Sequence, residues 1–387
     1  MVRYVSTVSL FCSAFFLMLG VGLTVSLLPA RMVILSGSFS DVGYLASFFA
    51  LPFVLLQVPV GALADRYGYK AFLTCGYVLC CLAALVYCYS ETPAGLYFGR
   101  FLQGVGEVPV WALAPALLSI EWPAGTGKAM GMYNASIHLG LTGGSLLGLL
   151  IVDGWGGNEA FIVLVATALV GGLLVVLFTK DHSGASYAKA ERVNQKTAVA
   201  LIVNRDTRFV FTGIALYGCG YGLFLTVIPM SLLTSRPNDQ FSVALFFVLF
   251  YIAVSLSQLM GGAVSDRAGR VQTMVSGMAL AAVCLPMAFR FEGAILLIIL
   301  ALASFGLGVF WVSSMAALSE SVPVSLRGTI SGAFYLSWGG GYFIGPVLLG
   351  WVADRGFFEL GVLIFSALLM GNAVMLAFSA VSDHSMG

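Results

Sequence analysis

The residues of this chain most able to do chemistry are a guanidinium and a carboxylate inside an apolar run. Arg100, Gly104, Glu107 and Trp111 follow i, i+4, i+7, i+11 spacing, which sets them on one helix face, with Gln103 beside them. On a helix Arg100 and Glu107 stand about 10 Å apart along the axis, so direct pairing needs help from both long side chains. Ionisable groups in such a run are costly and point to function. Burial penalises the charged form of Glu107, and Arg100 favours it. Three roles fit Glu107: a proton carrier, a seat for a cationic ligand group, or half of a structural Arg–Glu pair.

The next apolar run aligns Asn134, His138, Thr142 and Ser145. His138 is the sole histidine within such a run, since His182 and His384 lie outside. It is suited either to proton relay or ligand contact near neutral pH, or to a neutral hydrogen bond between helices. Further on, Tyr217, Tyr221 and Phe224 share a face, and Phe310 and Trp311 fall in another run. These rings either meet a partly apolar ligand or serve as packing.

The elements that must position these residues are long and apolar. Charged residues make up 9% of the 387 and apolar ones 60%, with a mean hydropathy of +0.99. Soluble domains carry about 25% charge. Runs long enough to cross a bilayer, roughly 20 residues each, fall near 6–29, 43–64, 71–90, 94–119, 128–152, 158–179, 208–233, 240–263, 271–290, 293–320, 326–352 and 358–381. The expected class is all-α, with twelve transmembrane helices. The runs are continuous rather than alternating, which argues against a β-barrel. The first run is too long for a simple signal-peptide core and is read as a retained span. With both termini cytoplasmic, thirteen of the 18 Lys and Arg fall on the cytoplasmic side and five elsewhere, as the positive-inside rule requires.

No basic stripe suits nucleic acid, and the seven cysteines, all within runs, show no metal-site spacing. No nucleotide loop or hydrolase motif is present. The expectation is a non-enzyme without cofactor or metal.

The chain repeats itself. Gly61, Asp65, Arg66, Gly68 and Lys70 form G-x-x-x-D-R-x-G-x-K, and Gly262, Asp266, Arg267, Gly269 and Arg270 repeat it as G-x-x-x-D-R-x-G-R. A shift near 201 also aligns Gln57 with Gln258, Glu91 with Glu292, Gly131 with Gly332 and Asp153 with Asp354. Glu107 has no such partner, because Val309 stands near its place. The expected domains are two six-helix bundles, 1–180 and 208–387. The basic linker 181–207 joins them, with Lys189, Arg192 and Lys196 on one face. It is either a helix lying on the anionic membrane surface or a solvated connection.

Six plus six spans with a cytoplasmic linker is similar to the layout of the major facilitator superfamily. The two D-R-x-G loops resemble its signature loop between helices 2 and 3 and the weaker copy between helices 8 and 9. Arg100 to Gly106 resembles its helix 4 motif, R-x-x-Q-G-x-G. The resemblance implies two pseudo-symmetric bundles that move a small molecule by alternating access, and gating roles for the loop residues of both copies. It also implies a central cavity lined by helices 1, 4, 7 and 10, which makes Gln103, Trp111, Asn134, Tyr217, Tyr221 and Trp311 cavity candidates. Glu107, Arg100 and His138 are the candidates for proton coupling or substrate. The resulting expectation is proton-coupled export by a monomer in a bacterial inner membrane. A symporter or uniporter of the same fold and, more remotely, a non-transporting scaffold are the alternatives. Helix 5 lacks the proline of the G-x-x-x-G-P motif of proton-coupled drug antiporters: here Gly140-Leu141-Thr142-Gly143-Gly144.

Overall fold

The computed structural model describes residues 2–122, 126–151, 160–180, 202, 204, 207–235, 240–322 and 327–384. The linker reading on Lys189, Arg192 and Lys196 lies outside these residues, as do Asp153 and the side chain of Asp65.

The described residues form thirteen helices. They are α1 (Val2–Ser36), α2 (Phe39–Tyr67), α3 (Tyr69–Tyr89), α4 (Pro93–Glu121), α5 (Thr126–Ile151), α6 (Phe161–Phe178) and α7 (Arg208–Leu225). Then follow α8 (Val227–Ser235), α9 (Gln240–Ala268), α10 (Arg270–Ala288), α11 (Gly293–Glu320), α12 (Arg327–Asp354) and α13 (Phe358–His384). Ten described stretches are long and apolar enough to cross a membrane. The repeat partners α5 and α12 are outside that set. Both are rich in glycine and carry polar residues such as Asn134 and His138, or Ser331 and Ser337.

The helices α7 and α8 form one apolar stretch, Arg208–Ser235, with a break at Thr226 that the sequence reading did not anticipate. Pro229 has no N–H to offer the carbonyl of Leu225, four residues back. The Thr226 hydroxyl donates instead to the Gly222 carbonyl at 2.7 Å. Its counterpart Pro29 sits within α1 without ending that helix.

Two compact units emerge. The first comprises 1–37, 48–190 and 238–248, and the second 38–47, 191–237 and 249–387. In unit 1, α1 packs on α5 and α6, and α3 on α4 and α6. In unit 2, α7 packs on α12, and α10 on α11 and α13. The duplication read from sequence is thus repeated in the packing. It extends to glycine contacts: a Cβ on Gly76 would lie 2.5 Å from the Gly106 oxygen, and one on Gly277 would lie 2.7 Å from the Gly306 oxygen. Close backbone approach of this kind is the usual use of small residues between membrane helices.

The first turn of α2 belongs to unit 2, where Asp354 at the end of α12 caps it. The carboxylate accepts from the Phe39 and Ser40 amides at 2.6 and 3.0 Å and from the Ser38 and Ser40 hydroxyls. Partial burial opposes ionisation, but the Ser40, Phe39 and Ser38 hydrogen bonds outweigh it and hold the carboxyl below its usual range. The cap therefore persists through neutral and mildly acidic pH. It is lost only as pH falls through this lowered value, beneath the ordinary carboxylate range near 4. Asp354→Ala is expected to cost about 1 kcal/mol, read as a lower melting temperature with the same offset at pH 5 and pH 8.

Candidate functional site

The helix α4 begins cleanly. Thr92 caps it by accepting from the Gly95 amide at 3.3 Å, and Pro93 occupies the first turn, where its missing N–H costs nothing. From there the helical repeat carries Arg100, Gln103, Glu107 and Trp111 along one side. Arg100 is 3%, Gln103 0% and Glu107 2% exposed, so each polar atom must find a protein partner.

These residues form a chain of hydrogen bonds. Arg100 donates to Gln103 Oε1 at 3.0 Å, and Gln103 Nε2 donates to Glu107 Oε1 at 2.8 Å. Trp111 Nε1 donates to Glu107 Oε2 at 3.1 Å. Gln103 is the bridge that the long Arg100–Glu107 separation calls for. Its amide orientation follows from chemistry, because a guanidinium only donates and a carboxylate accepts. Tyr87 of α3 adds a second donor to Gln103 Oε1 at 2.7 Å, and the Arg100 guanidinium lies 4.5 Å from the Phe49 ring centre. Tyr87 was not among the sequence candidates.

Both carboxylate oxygens of Glu107 thus face N–H donors. A protonated carboxyl keeps acceptor capacity on both oxygens but holds such donors less strongly than the carboxylate does, and half-buried Trp111 is the less enclosed of the two partners.

On α5, His138 is half-buried and Asn134 exposed. The Tyr133 hydroxyl ties α5 to α4 through the Val110 carbonyl at 2.9 Å. A second buried carboxylate, also absent from the candidates, is Glu121 at the end of α4, 3% exposed. It accepts from Ser6 and Thr7 of α1 at 2.6 and 2.7 Å, and Trp122 donates to the Thr7 hydroxyl at 2.8 Å.

In unit 2, Tyr217 and Tyr221 of α7 meet Trp311 of α11. The Tyr217 and Trp311 rings stack at 4.5 Å, and the two tyrosine rings are 5.9 Å apart. The D-R-x-G turns match in both copies: Gly68 and Gly269 have φ of 100° and 98°, a region that favours glycine. Arg270 pairs with Asp266 at 2.5 Å and with Glu320 of α11 at 2.7 Å. Arg267 and Arg66 are exposed, Arg66 lying 5.1 Å from the Tyr67 ring centre. Lys70 is half-buried, a Cβ on Gly262 would lie 3.8 Å from Val312, and one on Gly61 would meet open space.

The family profile described as Major Facilitator Superfamily matches residues 10–231 and 210–385. An uncharacterized MFS-type transporter of Methanocaldococcus jannaschii is 23% identical, covering 97% of this chain and 94% of its own length. A probable sulfoacetate transporter of Cupriavidus necator is 26% identical over 88% of this chain and 85% of its own. The crystal structure of the nucleoside transporter NupG superposes with a TM-score of 0.78 at 14% identity, covering 96% of this chain and 98% of that one. The chain belongs to the major facilitator superfamily and is a multi-pass membrane transporter of a small solute.

Proposed function

We propose that the chain exports its solute by alternating access in exchange for protons, and that Glu107 carries the proton. The observation that supports this is the closed hydrogen-bond chain on α4, in which both oxygens of a buried carboxylate face donors. Binding a proton removes the charge that both donors face, weakens the hydrogen bond from Trp111 and lets the indole turn. A protonation event thereby becomes a side-chain movement. Arg100 acts through Gln103 and favours the charged form between proton-binding events. His138 and Asn134 are the further candidates for contact on α5. The proposed setting is a monomer in a bacterial inner membrane with cytoplasmic termini, acting without catalysis.

The same chain of bonds serves symport equally well, and a relative named for sulfoacetate keeps an organic acid as an alternative solute. Proteoliposomes decide the direction. With a solute found by thermal-shift screening, an imposed proton gradient is expected to drive the solute against the proton flow. Movement of solute with the protons overturns export.

The D-R-x-G turns are proposed as gate elements, one per copy: Gly61, Asp65, Arg66, Gly68 and Lys70, and Gly262, Asp266, Arg267, Gly269 and Arg270. The Arg270–Glu320 pair is solvent-facing, so its worth is about 0.2–1 kcal/mol. Arg270→Ala is expected to change turnover about two- to fivefold and leave solute affinity unchanged, read as kcat against Kd in the same preparation.

A further inference from the structure

Unit 2 gathers rings and keeps charge away from them. Trp311 stacks on Tyr217 and lies 6.2 Å from both Tyr335 and Trp338 of α12. Trp338 stacks on Tyr342 at 5.3 Å with 9° between planes, and Tyr221 sits edge-on to Trp338 at 6.5 Å. Tyr217 and Tyr342 are buried. Tyr221, Trp311, Tyr335 and Trp338 keep accessible area. On α12 the ring-bearing residues lie opposite the exposed apolar face of Ile344, Leu348 and Trp351, whose composition suits lipid. The rings therefore belong to the inner side of that helix.

The charged residues of α7, α11 and α12 stand at their ends: Arg208, Glu320, Arg327, Asp354. A carboxylate or sulfonate taken out of water needs a cation to offset its lost hydration. Among the described residues of α7, α11 and α12, no cation stands beside the rings. Ring faces, by contrast, attract planar groups and cations.

We propose that the solute is a planar ring compound, neutral or cationic, held on the surface formed by Tyr221, Trp311, Tyr335 and Trp338, and that organic anions are excluded. This rests on the transport reading above, and deepens it by naming the solute class. Recognition is by stacking, with the charge of a cationic solute set against the ring faces.

The test uses the full chain in nanodiscs, with empty nanodiscs as reference. The probes are N-methylacridinium, its ring-matched anion acridine-9-carboxylate, and sulfoacetate. Calorimetry is expected to show N-methylacridinium binding at least about tenfold more tightly than acridine-9-carboxylate, with no saturable sulfoacetate binding. Trp311→Leu and Trp338→Leu are each expected to weaken the cation about tenfold, and Trp311→Phe to restore most of it. Preference for either anion in the unmutated protein overturns the proposal without recourse to any variant. So does unchanged cation binding in both folded Leu variants. Proteoliposome flux separates the two claims. Sulfoacetate moved and N-methylacridinium not moved removes the ring class and leaves transport standing. N-methylacridinium bound with the predicted preference, but never moved, removes transport and leaves the ring site standing.

Discussion

Glu107→Gln is expected to reduce proton-driven solute movement to the level of empty vesicles while solute exchange between the two sides continues. Gln is close in shape to a protonated carboxyl: one oxygen still accepts, and the other position now donates. It therefore holds the site in one state. Of the two donors that face Glu107, the Gln103 amide is fixed from behind by Arg100 and Tyr87. The indole of Trp111 is expected to be the group displaced. A carrier fixed in one protonation state can still cycle with solute bound, but it can no longer tie that cycle to a proton. Flux under an imposed gradient, beside counterflow without one, measures the two separately. Equal loss of both would mean that Glu107 holds the helix together. Equal retention would mean that the proton is carried elsewhere.

The second large effect is on assembly. Gly340 and Gly341 are neighbours on α12 with opposite surroundings. A Cβ on Gly341 would press into the Ala215 backbone of α7, whereas a Cβ on Gly340 meets nothing within 4 Å. Overpacking typically costs about 1–3 kcal/mol, and more where a backbone must yield rather than a side chain. Gly341→Leu is therefore expected to lose about 3 kcal/mol or more and to leave little monodisperse protein. Gly340→Leu gains up to about 1 kcal/mol of helix propensity and is expected to melt at or above the parent temperature. Thermal melts of the pair in one detergent check this. Matching behaviour would show that α7 and α12 do not approach as described.

The architecture was legible because bilayer helices are written as long apolar runs, and because the chain repeats its packing along with its words. Gly76 against Gly106 in one unit and Gly277 against Gly306 in the other make the same backbone contacts. The break at Thr226 was less visible, since Pro229 has the counterpart Pro29 in a continuous helix. Sequence pattern does not say which of two equivalent prolines a helix absorbs. On α4 the spacing of Arg100, Glu107 and Trp111 named the face and set Gln103 beside it, but left its bridging role unread. The partners from other helices were hidden. Tyr87 joins through the α3–α4 contact, and Ser6 and Thr7 reach Glu121 across a separation of more than a hundred residues. Single-helix periodicity carries no information about such pairings. Nor did it show that Asp354 would cap α2, because a carboxylate at a span's end looks the same whichever amides it serves.

The central claim is that solute binding makes Glu107 give up its proton. It is tested most directly by adding N-methylacridinium to the purified protein in weakly buffered nanodiscs and following the pH of the medium. The account predicts proton release from the unmutated protein and none from Glu107→Gln at equal solute occupancy. Solute binding without proton release in the unmutated protein, or the same release from Glu107→Gln, would contradict it.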